Sequence, residues 1–134
     1  MILVDTSVLI DFFRGKKNAA TRRFRTVLEQ NLPFGITSFI FQEVLQGAKT
    51  EREYGRLRKY LSTQRFYHPN SPLNSFEAAA RLYFECRKKG ITIRSTIDCL
   101  VAQITIENNL ALLHNDRDFE AMSAVVPLKF WSLE

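Results

Sequence analysis

The sequence predicts a three-layer α/β/α domain built on a mainly parallel central sheet. Two observations carry that expectation. Short apolar runs alternate with longer segments whose apolar residues recur at helical spacing, which is the order of βαβ units. The short runs are nearly continuous in apolar character rather than alternating, as strands covered by helices on both faces require. With 134 residues and 46% hydrophobic content, the chain can fill a core without disulfides or structural metal, and one domain over residues 1–134 is expected.

Taken in order, ILVD (2–5) is a first strand. TSVLIDFFRG follows with Val8, Leu9, Phe12 and Phe13 at helical spacing, ended by Gly15. Residues 18–31 set Ala20, Phe24, Val27 and Leu28 on one side and a group of arginines elsewhere, an amphipathic helix stopped by Pro33. FGIT (34–37) is a second strand, and SFIFQEVLQGA (38–48) a helix opened by Ser38. EREYGRLRKYLST is a further helix, RFYH (65–68) a brief strand and PNSPLN a loop. SFEAAARLYFECRKKG is an amphipathic helix with a glycine just past its end. Ser95 is placed to cap the helix RSTIDCLVAQITIENN, LALLH is a strand, DRDFEAMS a short helix and LKFWSL a last strand. Neither a repeat nor a linker divides the chain.

Composition narrows the function. Cys86 and Cys99 lie inside helical segments without CxxC spacing, and there are only two histidines, so a zinc site or a disulfide framework is not indicated. The start runs directly into ILVD with no basic leader, and no apolar run has membrane length, so a cytoplasmic protein with no membrane partner is expected. Lys and Arg total 19 against 14 Asp and Glu, a formal charge of +5, which suits a polyanionic partner.

The acids are the informative residues. Asp5, Asp98, Asp116 and Asp118 all fall where a strand ends or a helix begins, and Glu43 lies one turn into the helix after the second strand. In a parallel sheet those positions share one rim, so the five can converge in one crevice. Singly each has a plain structural role. Asp5 and Asp116 suit helix caps, Asp98 suits the acid of a capping box in STID, and Glu43 suits a solvated helix face. Asp11 has no such placement and reads as a surface or helix-pairing carboxylate. Together, converging carboxylates repel one another and call for raised pKa values or a bound cation. An oxygen-only ligand set suits Mg²⁺ or Mn²⁺ rather than Zn²⁺. His114, ending an apolar strand, reads as packed rather than coordinating.

Four segments, ILVDTSVLIDFF, ITSFIFQEVLQGA, STIDCLVAQIT and LLHNDRDF, occur in the order and approximate spacing of PIN-domain proteins. The chain resembles most the VapC toxins of bacterial and archaeal toxin–antitoxin pairs, and the resemblance covers nearly its whole length. It implies a Mg²⁺-dependent endoribonuclease, Mn²⁺ being a plausible substitute. Asp5, Glu43 and Asp98 match the three firmest acids, with Asp116 as the closer fourth ligand and Asp118 as a water-mediated or alternative one. Thr6 and Ser7 match the small polar pair after the first Asp and would orient that carboxylate or a water on the metal. The chemistry implied is water activation and charge neutralisation at a backbone phosphorus, leaving 5′-phosphate and 3′-hydroxyl ends. A tRNA or ribosomal RNA is the implied substrate.

An anionic pocket repels RNA unless cations surround it. Arg14, Lys16, Lys17, Arg22, Arg23 and Arg25 are candidates for RNA contact, with Arg94 and Arg117 nearer the acids. The alternative for the first group is a solvated helix face, and for Arg117 an ion pair with its aspartate neighbours. Eleven phenylalanines, among them Phe12, Phe13, Phe39 and Phe41, exceed what a small core obviously needs and are available for a dimer face or antitoxin groove. The resemblance also implies a homodimer and a cognate VapB-type antitoxin. A haloacid-dehalogenase-type phosphatase is disfavoured, because Ser7 stands where its DxDxT pattern needs the second Asp. A non-catalytic RNA- or protein-binding module, with the acids as caps, is the rival from another class.

Overall fold

The structure is a computed structural model and describes residues 1–132. In chain order its elements are β1 (Ile2–Val4), α1 (Thr6–Phe13), α2 (Ala19–Glu29), β2 (Phe34–Thr37), α3 (Ser38–Gln46), α4 (Glu51–Leu61), β3 (Arg65–Tyr67), α5 (Pro72–Lys88), α6 (Thr96–Glu107), β4 (Ala111–Leu113) and α7 (Arg117–Ser123). The strands form one sheet in the order β3-β2-β1-β4, every pairing parallel. Each successive pair of strands is joined through two helices, the long crossover that a parallel pairing demands.

All residues of β1 and β2 are buried. Successive strand residues point to opposite faces, so burial of every one means that both faces of the sheet are covered. Leu3, Val4, Ile36 and Leu112 form the centre of the core, with Val8, Leu9, Phe24, Ile40 and Ile104 packed on them from the helices. Gly35 is fixed by its neighbour: a Cβ there would collide with the ring of Tyr67, across the β2–β3 ladder. Gly90 (φ 77°) closes α5 in a Schellman motif, its N–H bonded to Arg87 O and that of Ile91 to Cys86 O. The free thiols Cys86 and Cys99 are both buried. Among the described residues no helix is long and apolar enough to cross a membrane.

Four local expectations change. α3 is capped by Thr37 rather than Ser38: the buried Thr37 hydroxyl accepts from the N–H of Ile40 at 3.1 Å, so the last strand residue doubles as the cap. α5 starts inside the segment expected as a loop, because Pro72 takes the first helical position, where its missing N–H costs nothing. Ser95 flanks α6 but its side chain makes no capping bond. The expected last strand, residues 128–133, is a single parallel bridge between Leu112 and Phe130, with Leu133 outside the described residues.

Candidate active site

The strand order places the site. The chain proceeds outward from β1 to β2 and β3, then returns to the opposite side of β1 as β4, so β1 is where the connections diverge. Crevices in open α/β sheets form beyond the strand C-termini at such a point. Asp5 follows β1 and Asp116 follows β4, its neighbour. Asp98, in the first turn of α6, arrives at the same rim.

Local chemistry then fixes each side chain. Asp5 is 5% exposed and caps α1: its Oδ2 accepts from the Ser7 N–H at 3.1 Å and the Ser7 hydroxyl at 2.7 Å. That hydroxyl in turn accepts from the N–H of Asn115 at 3.0 Å, joining the ends of β1 and β4 through one oxygen. Thr6 Oγ1 donates to Glu43 Oε1 at 3.0 Å, drawing the exposed α3 carboxylate toward α1. Asp116 caps α7, accepting from the Asp118 N–H at 2.9 Å. Its own N–H donates to Nδ1 of His114 at 3.1 Å, whose ring is packed between Phe119 and Phe130.

Arg94 completes the rim. Its backbone N–H and its Nε both donate to Asp118 Oδ2 at 3.2 Å, and its Nη2 donates to Asp116 Oδ1 at 3.1 Å. Asp98, Asp116 and Asp118 each offer an oxygen such that the three lie within 4.8 Å of one another. Oxygens gathered at that separation form a donor set that could hold a hard divalent cation.

The electrostatics agree with the donor set. Burial, then the proximity of Asp5, Asp116, Glu43 and Asp118, pushes the Asp98 carboxyl up to about 7. Asp5 is raised by burial, with the Ser7 hydrogen bonds opposing and Glu43 adding to the rise. His114 is lowered by burial, which keeps the imidazole neutral and its Nδ1 an acceptor. A pocket of carboxylate oxygens that resists its own negative charge is chemically suited to a hard divalent cation.

Of the residues singled out in the sequence, the structure brings Asp98, Asp116 and Asp118 within 4.8 Å of one another, places Asp5 and Glu43 outside that group but near enough to act on Asp98, and bonds Ser7 to Asp5, Thr6 to Glu43 and Arg94 to Asp116 and Asp118. Asp98 is not the acid of a capping box. Within the small polar pair the roles divide: Ser7 bonds the Asp5 carboxylate through its side chain, while Thr6 holds Glu43. The alternative for Arg117, an ion pair with its aspartate neighbours, is not what forms: Arg117 is exposed and has no carboxylate partner among the described residues, and the ion pairs are made by Arg94. Arg14 lies at the far end of α1, about 13 to 14 Å along its axis from Asp5, beside a cleft of ≈ 850 Å³ between α1 and α4. Arg22 is exposed on α2, and Arg23 lines a small cleft with His114 and Glu120. Asp11 pairs with Lys16 at 3.7 Å and Asn18 at 3.2 Å. Phe12 stacks edge-on to Phe24, Phe41 to Phe66, and Phe39 borders an apolar cleft with Phe76 and Tyr83. The tie from His114 to Asp116 is one that sequence reasoning misses, because a histidine ending an apolar strand signals packing and nothing more.

An acid-rimmed parallel α/β domain of this order is the PIN-domain arrangement. Residues 2–125 match the PIN domain family, and the chain belongs to it. Among curated relatives it is 29% identical over 130 residues to the VapC ribonuclease Mb1587 of Mycobacterium bovis and, equally, to ribonuclease VapC11 of Mycobacterium tuberculosis, with 96% of each chain covered. Among solved structures, a toxin–antitoxin complex from Klebsiella pneumoniae superposes with a TM-score of 0.70 at 26% identity, over 97% of this chain and 100% of that one. DNA-bound VapBC from Salmonella typhimurium matches in fold with a TM-score of 0.73 at 18% identity, over 97% and 96%.

Proposed function

We propose that this chain is a VapC-type endoribonuclease toxin that hydrolyses phosphodiester bonds in a structured RNA, a tRNA or ribosomal RNA, with a divalent cation. The observation that carries the reading is the approach of carboxylate oxygens of Asp98, Asp116 and Asp118 to within 4.8 Å of one another, with Asp5 and Glu43 near enough to act on Asp98 and no cationic partner on Asp98 among the described residues. The names of the curated relatives support the activity, and the Klebsiella complex supports a cognate antitoxin as partner. A homodimer accords with the apolar cleft bordered by Phe39, Phe76 and Tyr83.

Asp5, Glu43, Asp98 and Asp116 would hold Mg²⁺ or Mn²⁺, with Asp118 as the alternative ligand. Bound there, the ion would supply activation of water and neutralisation of charge at the scissile phosphate. Ser7 fixes the Asp5 carboxylate and ties it to the β4 end, so two ligands from opposite ends of the chain keep one relative position. Thr6 does the same for Glu43, which would otherwise be free on an exposed helix face. His114 holds the turn that aims Asp116. Arginines around the rim bind the RNA backbone, Arg94 and Arg117 nearest the acids.

The test is cleavage of a structured RNA by the purified protein. Activity with Mg²⁺ or Mn²⁺ is expected, with loss in EDTA and a loss on the order of a hundredfold or more in Asp98→Asn, whose circular dichroism stays that of the folded protein. If wild type and Asp98→Asn act alike, the acids are only caps and the chain is a binding module.

A further inference from the structure

Resting on the nuclease reading, we propose that Arg94 is the resident counter-ion of the acid pocket: it holds Asp116 and Asp118 while no divalent cation is bound, and is released to the RNA backbone when one binds.

Arg94 stands in the segment between α5 and α6, four residues ahead of Asp98. It engages Asp118 twice through the same oxygen, once by its backbone N–H and once by Nε, and Asp116 once by Nη2. The partners differ in freedom. The Arg94 side chain is 62% exposed, whereas the Asp118 side chain is 9% exposed. The guanidinium is therefore the group that can leave. Its departure does not let Asp118 go, because the backbone N–H of Arg94 keeps that carboxylate in place.

Cation and guanidinium compete for one location. The oxygens of Asp98, Asp116 and Asp118 that lie within 4.8 Å of one another include those of two carboxylates that Arg94 already neutralises. A doubly charged ion among them would face the guanidinium at a few ångströms, and a solvent-exposed ion pair is too weak to resist that repulsion. Once displaced, a planar fork of N–H donors stands free at the rim of the pocket, where a phosphate must lie to be cut, and it matches phosphate oxygens in pairs. Arg117, without a carboxylate partner among the described residues, has nothing to surrender and no such coupling. Cation binding thus creates a phosphate-binding group that the ion-free protein keeps occupied.

Mn²⁺ binding by the full-length protein, followed by the electron paramagnetic resonance of free Mn²⁺ at low ionic strength without RNA, tests the competition. Arg94→Gln is expected to bind Mn²⁺ roughly three- to tenfold more tightly than wild type, while Arg94→Lys, which keeps the charge, stays near wild type. At saturating Mn²⁺, Arg94→Gln is expected to raise KM for RNA by roughly threefold or more with a smaller change in kcat. Unchanged or weaker Mn²⁺ binding in Arg94→Gln would make Arg94 an orienting clamp and overturn the proposal. Equal tightening in Arg94→Lys, or an unchanged KM, would overturn it as well. Absence of Mn²⁺ binding in wild type and variants alike would instead remove the nuclease reading on which it rests.

Discussion

Helix α6 carries a carboxylate near each end, and the two are opposites. Glu107, its last residue, accepts from the Asn70 N–H at 2.8 Å, from the Ser75 hydroxyl at 2.8 and 3.0 Å, and from Gln103 Nε2 at 3.2 Å. Asp98, in the first turn, receives no side-chain hydrogen bond from the described residues and faces four other acids. The helix dipole favours an acid at the N-terminus and disfavours one at the C-terminus, so the dipole alone predicts the reverse distribution of strain. Donors decide instead. Glu107 ties the turn before α5 to α6 and belongs to the fold; Asp98 is held among its own kind, in a pocket suited to a cation.

The sharpest way to break this contrast is to neutralise Asp98. Its folded-state pKa, about 7, lies above the ordinary 3.8, so the folded protein binds the extra proton between those values. The stability tied to that proton is complete below about pH 4 and is lost as pH rises through 7. In EDTA at pH 8, Asp98→Asn should therefore be more stable than wild type by about 1–2 kcal/mol, a figure reduced for the partial exposure of the group. The gain should vanish at about pH 4. Urea unfolding at the two pH values checks this, and equal gains at both would show that charge is not the cause. A variant that is stabilised yet inactive would separate the two ends of α6 cleanly.

Glu107→Ala is the counterpart. It leaves the Asn70 N–H and the Ser75 hydroxyl without their acceptor and should cost about 1–2 kcal/mol, with RNA cleavage per folded molecule unchanged. Inactivity in a folded Glu107→Ala protein would erase the distinction. Ser7→Ala falls between the two, because its hydroxyl serves both fold and site. Loss of the bridge from Asp5 to Asn115 should cost about 1 kcal/mol and reduce cleavage by roughly tenfold. Since the Ser7 bonds restrain the rise in the Asp5 pKa, removing one should also move the acidic limb of the pH–rate profile upward.

How much of the molecule is legible in its sequence follows from the range of each interaction. The strands at β1, β2 and β4 and the helices α1, α2 and α6 are announced by local pattern, and the shared rim of the acids follows from parallel topology. What the sequence conceals depends on pairings across that rim. Thr6 and Ser7 are adjacent, yet one serves Glu43, 37 residues away, and the other the β4 end, 108 residues away. Arg94 pairs with acids 22 and 24 residues on, whereas proximity in sequence points to Arg117. The late strand fails for another reason: the β-rich composition of LKFW is real, but only Phe130 reaches Leu112 in strand register.

Arg117 gives the smallest expected effect, and the one that refines the contrast rather than testing its core. Its side chain is exposed at the first position of α7, between two aspartates that bond elsewhere, so Arg117→Ala should change stability by less than about 0.5 kcal/mol. Were it engaged with a carboxylate as Arg94 is, the destabilisation would grow as salt is lowered, because screening weakens such pairs. Its proposed use is toward RNA. Removing one cation that touches a phosphate lowers the slope of log K against log salt by about 0.7–0.9, evenly across RNA sequences. Binding measured over a salt series with Asp98→Asn as the non-cleaving background reads that slope directly. A change near zero would leave the phosphates to Arg94 and the arginines of α2, and would confine the cation-linked capture of RNA to the side of the pocket where Asp118 is anchored.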